Sequence, residues 1–254
     1  MQFHQAVAFL ETDQYLQLAQ ASEDLGFSGM YVPDHLCYPK ELRSRYTYSP
    51  YDDGSPVWAP ESDWPDTWCV ISAMAAVTNA LQFTTGVYVA PARDLMTVAK
   101  LVGTAAVLSG NRVNLGVAAG WCKEEFDLTG QEFSDRGRRL DDMIPALRAL
   151  WRSGWVEYHG SHYDVPLMQV NPAPTKPVPV IVGGDSAPAL RRTAALGDGW
   201  AAARVLAPDA AMAQIEQVKD ALAAEGRTID GFRIFTTVPP NPSLASSGGS
   251  RTPA

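Results

Sequence analysis

Short apolar runs alternate with amphipathic stretches along most of this chain, and that order limits its fold more than any single motif does. Strands are predicted over Phe3–Phe9, Ser28–Val32, Gln82–Val89, Arg112–Val117, Val178–Val182, Gly199–Ala203 and Phe232–Val238. Helices are predicted over Asp13–Leu25, Thr67–Asn79, Asp94–Leu108, Asp135–Trp151 and Pro208–Glu225. A further Ala/Leu/Arg helix opens at Asp185-Ser186-Ala187-Pro188 and stops at Gly197. Gly26 and Gly110 act as helix stops, because glycine tolerates the left-handed backbone that ends a helix. Strand followed by helix at this spacing requires right-handed crossovers, and these lay the strands parallel in one sheet.

A chain of 254 residues fits one large α/β domain, and closed barrels of this kind run to about 250 residues. The prediction is a TIM (β/α)8-type barrel rather than an open doubly wound sheet. A dinucleotide-binding fold carries a G-x-G-x-x-G turn after its first strand, and Phe9-Leu10-Glu11-Thr12 contains no glycine. Three segments depart from the alternation. His35 to Pro65 is a polar and aromatic insertion after the second strand, with Tyr46, Tyr48, Tyr51, Trp58 and Trp64. So long a segment in a compact domain is expected to be a functional lid or disordered, and it leaves the strand end on which barrels build their active sites. Val156–Val165 reads as a hairpin turned at His159-Gly160. Residues 241–254 are expected to form a disordered tail, which leaves 1–240 as the barrel domain. Seven strands are one fewer than a closed barrel needs, so the last β/α unit is expected to be lacking or truncated.

An apolar fraction of 46% and a charged fraction of 19% describe a chain able to bury a real core. The net charge of -8 argues against nucleic acid or an anionic membrane as the main partner. Cys37, Cys69 and Cys122 are odd in number and lack metal-type spacing, so a reduced cytoplasmic setting and no metal are expected.

The stretch Val178 to Trp200 carries the first chemical hint. A buried strand ends in Gly183-Gly184 and feeds a helix with Asp185 or Ser186 as its cap and Pro188 in its first turn. Unpaired first-turn N–H groups and the positive end of the helix dipole suit a phosphate. A plain tight βα turn accounts for the glycines equally well.

Further motifs accompany this turn: Leu25-Gly26-Phe27 through Tyr31-Val32-Pro33-Asp34-His35, Thr85-Gly86-Val87, Leu108-Ser109-Gly110-Asn111-Arg112 through Gly120-Trp121, Glu124-Glu125-Phe126, Arg136-Gly137-Arg138-Arg139-Leu140 and Leu196-Gly197-Asp198-Gly199-Trp200. Together they resemble the luciferase-like monooxygenase superfamily, and most of all its branch using the deazaflavin coenzyme F420. The resemblance covers residues 3 to 238. It implies a cofactor laid across the C-terminal mouth of the barrel, its phosphate on Gly183, Gly184, Asp185 and Ser186. Relatives carry a non-proline cis peptide in the third strand, and the matching bond is Gly86–Val87. The matching histidine, close to the redox ring in relatives, is His35, with Asp34 beside it. From the residues alone, Gly86 reads as a strand kink, whereas Asp34 and His35, at the C-terminal end of a barrel strand, read as the catalytic candidates, with a loop histidine bonded to Asp34 as the alternative. Several F420-dependent relatives place a glutamate after the glycine matching Gly120; here Trp121 stands there, so their acid–base chemistry does not transfer directly.

Arg191 and Arg192 are expected to steer an anionic cofactor tail, whereas Arg136, Arg138 and Arg139 read as a solvated helix face. Glu124 and Glu125 are expected to cap or solvate their loop. The function implied is hydride transfer between F420 and a small organic substrate. Two others stay open: an FMN-dependent, oxygen-using monooxygenase of the alkanesulfonate type, and a non-catalytic flavin-binding protein. A homodimer is expected by family analogy only.

Overall fold

The computed structural model describes residues 1–237. In chain order the elements are β1 (His4–Ala6), α1 (Tyr15–Asp24), β2 (Gly29–Val32), α2 (Thr67–Ala76), β3 (Gln82–Thr85), α3 (Leu95–Leu108), β4 (Val113–Val117), α4 (Lys123–Thr129) and α5 (Arg136–Leu150). There follow β5 (Val156–His159), β6 (Asp164–Met168), β7 (Val180–Gly183), α6 (Ala187–Leu196), β8 (Gly199–Val205), α7 (Pro208–Ala224) and β9 (Arg233–Thr237). Seven strands form one parallel sheet in the order β1-β2-β3-β4-β7-β8-β9. The hairpin β5-β6 stands apart as an antiparallel pair.

The sheet curls. The His4 ring of β1 meets the Phe235 ring of β9 at 5.2 Å, and Tyr31 of β2 stacks on the same ring at 6.0 Å. Arg233 of β9 donates across the interior to the Asn114 side chain of β4. Alternate residues of each strand face outward, and Met30, Val32, Phe83, Leu115, Val117, Val180 and Val182 lie buried in the core shared with Ile71, Met74, Val98, Val102, Met143 and Leu147 of the helices. The inward positions include Gly29, where a Cβ would lie 2.6 Å from the His4 ring, and Gly199, where one would lie 2.6 Å from Ile181 Cδ1. Small residues on some strands make room for large ones on their neighbours, as barrel interiors require. This is the TIM-type architecture expected. Among the described residues β1 and β9 share no strand pairing, so no eighth strand closes the ring.

Several predicted boundaries shift. The third strand ends at Thr85 rather than Val89, because the backbone turns at Gly86. The hairpin runs on to Met168, with its loop over 160–163. α4 replaces a predicted loop and stops at Gly130, which takes φ 70°. Val238 and the expected tail at 241–254 lie outside the described residues. No helix among the described residues is long and apolar enough to cross a membrane.

Candidate active site

Parallel strands place all their C-terminal ends at one mouth, and the motif residues gather there. Asp34 and His35 follow β2. Asp34 is buried and fully engaged: Oδ2 accepts from Arg93 Nη1 at 2.6 Å and from the Val89 N–H at 2.9 Å, while Oδ1 accepts from Arg93 Nη2 at 2.8 Å. This bidentate pair joins the end of β2 to the turn after β3. A carboxylate so occupied holds backbone in place.

His35 is not bonded to Asp34. Its Nδ1 lies 2.9 Å from Glu125 Oε1, and the same oxygen accepts the N–H groups of Leu36 at 2.7 Å and Cys37 at 3.4 Å. The side chains of His35 and Glu125 are 11% and 2% exposed. Around the imidazole stand Trp64 at 4.7 Å, Trp58 at 5.0 Å and Trp121 at 5.7 Å between ring centroids. Tyr46 extends this wall against Trp58 and Trp121, both at 5.1 Å. The insertion after β2 thus folds over the mouth with Tyr46, Trp58 and Trp64 turned inward, whereas Tyr51 is exposed.

Glu124, next to Glu125 in the first turn of α4, anchors the same insertion farther along. Its Oε1 accepts the N–H groups of Arg43 at 2.7 Å and Ser44 at 3.0 Å. Burial opposes ionisation of Glu124, but these bonds and the Ser44 hydroxyl outweigh it and hold the carboxyl at about 2. Neither glutamate merely caps or solvates a loop. Sequence reading missed them because their partners lie 80 to 90 residues away.

The Gly86–Val87 bond is cis, the bond singled out by the resemblance. Val87 packs against the end of β7, so that a Cβ added to Gly183 would lie 2.7 Å from Val87 Cγ1. Gly120 takes φ 87°, and its carbonyl accepts Arg136 Nε at 2.9 Å. Trp121 then joins the aromatic wall. Gly184 takes φ 117°; its N–H donates to the Ala201 carbonyl at 3.2 Å and its carbonyl accepts Trp200 Nε1 at 2.8 Å. The Gly184 amide is therefore spoken for.

Three amides remain. The N–H groups of Asp185, Ser186 and Ala187 have no acceptor among the described residues, and they open the ten-residue helix α6. Ser186 is the cap, its hydroxyl accepting from the Ala189 N–H at 3.4 Å. The Asp185 carboxylate turns to Gln214 at 3.3 Å and Arg204 at 3.6 Å. Tyr48 of the insertion reaches this turn, and burial with the nearby Asp185 charge pushes its hydroxyl up to about 12. Free donors at a helix N-terminus fit an anionic group.

The expected steering role fails for Arg192. It is buried and bonded to Asp141 Oδ1 at 2.5 Å and the Gly137 carbonyl at 2.8 Å, tying α6 to α5. Arg204 stands nearer the turn. Arg136 and Arg139 are likewise engaged with backbone carbonyls of Gly120, Phe133 and Glu132, not spread on a solvated face.

Comparison with known proteins identifies the family. An uncharacterized protein of Mycobacterium tuberculosis is 40% identical over 200 residues, 79% of this chain and 68% of that protein. The pyrimidine monooxygenase RutA of an Enterobacter species is 27% identical over 188 residues, 68% of this chain and 49% of that protein. Among solved structures, an F420-dependent secondary alcohol dehydrogenase in complex with an F420–acetone adduct superposes with TM-score 0.73 at 18% identity, covering 92% of this chain and 68% of that one. This chain thus spans about half to two thirds of the length of these proteins. The family model for luciferase-like monooxygenases matches residues 4–242, and with that match the chain belongs to the luciferase-like monooxygenase family.

Proposed function

We propose that this chain is an oxidoreductase that holds coenzyme F420 across the strand ends and moves a hydride to or from a small organic substrate. The observation that carries the reading is the set of unbonded amides at Asp185, Ser186 and Ala187, in one mouth with Gly86, Val87 and the His35 ring. In this reading the three amides bind the coenzyme's phosphate. Val87, for which Gly183 leaves room, backs the ring. Tyr46, Trp58, Trp64 and Trp121 exclude water above the reacting atoms, and His35 handles one proton. Asp34 holds the turn that carries Val89. The coenzyme supplies the two-electron chemistry; the protein supplies orientation and a dry wall. A structural neighbour described as F420-dependent supports this choice of coenzyme.

RutA, described as a monooxygenase, favours a second reading in which reduced FMN and oxygen act at the same place. Incubation of the purified chain with F420 and with FMN, followed by gel filtration and anaerobic assay, separates the two. The expected result is retained F420 and substrate turnover that persists without oxygen. Retained FMN with strict oxygen demand would establish the monooxygenase. Tight retention with no turnover on a substrate panel would make the chain a binding protein.

A further inference from the structure

We propose that Glu125 is a positioning residue that fixes His35 in one tautomer and so decides which imidazole nitrogen meets the substrate. The inference rests on the placement of His35 at the reacting centre in the proposed function. A single carboxylate oxygen, Glu125 Oε1, contacts His35 Nδ1 at 2.9 Å and also takes the Leu36 N–H at 2.7 Å and the Cys37 N–H at 3.4 Å. Two backbone donors hold that oxygen in place whatever the imidazole does. An ionised carboxylate only accepts, so Nδ1 must carry the hydrogen in the neutral ring. The lone pair then sits on Nε2.

Nε2 has no hydrogen-bond partner among the described residues. The rings of Trp58, Trp64 and Trp121 flank the imidazole and leave it little freedom to flip. Asp34 cannot compete for the ring, since Arg93 and the Val89 N–H occupy both its oxygens. Nε2 is thus the atom at which the site exchanges a proton with substrate. In the neutral ring it accepts, as the loss of a hydroxyl proton in alcohol oxidation demands; in the charged ring it donates, as the reverse reduction demands. Glu125 itself neither touches substrate nor carries the transferred proton. Its part is to keep the ring oriented in both directions of the reaction.

The test uses the full chain labelled with 15N-histidine, without coenzyme, and reads ring-nitrogen shifts by long-range proton–nitrogen correlation at alkaline pH. His35→Ala assigns the signal. The wild type is expected to show the Nδ1–H tautomer. Glu125→Gln retains an oxygen for the three donors and should keep that tautomer, whereas Glu125→Ala should release it to the mixture seen for a free imidazole. With coenzyme and substrate, Glu125→Ala should lower kcat by about 100-fold. Coenzyme affinity should hold, and Glu125→Gln should recover a part of the loss. An Nε2–H ring in the wild type would overturn the proposal, as would an unchanged tautomer in a folded Glu125→Ala. A chain that shows the Nδ1–H ring but binds neither F420 nor FMN would overturn the functional reading and leave the tautomer assignment standing.

Discussion

Replacing Arg93 by methionine probes whether Asp34 is part of the scaffold or of the chemistry. The Asp34 side chain is 2% exposed and that of Arg93 11%, and two bonds of 2.6 and 2.8 Å join them. Methionine retains the aliphatic stem of the arginine but removes the guanidinium. Asp34 is then left buried with the Val89 N–H at 2.9 Å and a long Thr67 hydroxyl contact at 3.4 Å. Stranding one charge of a buried pair costs about 3 to 5 kcal/mol. For a domain of this size that corresponds to a fall in Tm of about 10 °C. Urea unfolding followed by circular dichroism measures the loss directly. The double change Asp34→Asn with Arg93→Met removes both charges and keeps an acceptor for Val89. It should therefore be more stable than the sum of the single losses by about 1 kcal/mol or more. A loss below about 1 kcal/mol in Arg93→Met, or strict additivity in the cycle, would refute the argument. A scaffold role also requires that folded Asp34→Asn show no selective loss of kcat.

Gly183→Val should weaken coenzyme binding by at least about tenfold, or about 1.4 kcal/mol, because even its Cβ would lie 2.7 Å from Val87 Cγ1. An unchanged dissociation constant in a fluorescence titration contradicts the placement of Val87 against the coenzyme. His35→Ala should lower kcat by about 100-fold with coenzyme affinity little changed; equal losses in both would recast the imidazole as a coenzyme clamp. Glu124, depressed from 4.5 to about 2, stabilises the insertion fully above pH 4.5 and loses that effect as the pH falls toward 2. Emission from the insertion's tryptophans should follow that window, and Glu124→Gln should abolish the dependence. A titration identical in the variant places the anchor elsewhere.

What the sequence made legible was local. All seven strands of the sheet were visible as short runs bounded by glycine or a polar turn, although only β2, β3, β4, β7 and β8 carry buried residues and the end strands β1 and β9 carry none. The turn at Gly183-Gly184 was visible for the same reason: two glycines and a capping serine write a strand-to-helix reversal in adjacent letters. Even there the sequence could not say which amides were free. The Gly184 N–H belongs to β8 through the Ala201 carbonyl, and the open donors begin one residue later. The Asp34–Arg93 pair spans 59 residues, and the His35–Glu125 contact spans 90. Such pairings obey no period and leave no composition signal, so Glu125 read as one more acidic residue that caps or solvates a loop.

The two neighbouring glutamates of α4 also explain why the insertion is ordered over the mouth, although its own sequence lacks a helix or strand pattern. A segment without a ladder must find other acceptors for its N–H groups. Glu125 takes those of Leu36 and Cys37 where the insertion leaves β2, and Glu124 takes those of Arg43 and Ser44 farther out. Successive helical residues point about 100° apart, so one short turn of α4 presents its carboxylates to two separate points of the insertion. The aromatic wall rests on those anchors, with Trp58 and Tyr46 closing against Trp121 in the turn after β4. It follows that the ordering of the insertion and the orientation of His35 share one support. A variant that frees the lid by changing Glu125 should disturb the imidazole as well, whereas one that frees it by changing Glu124 should leave the imidazole in place.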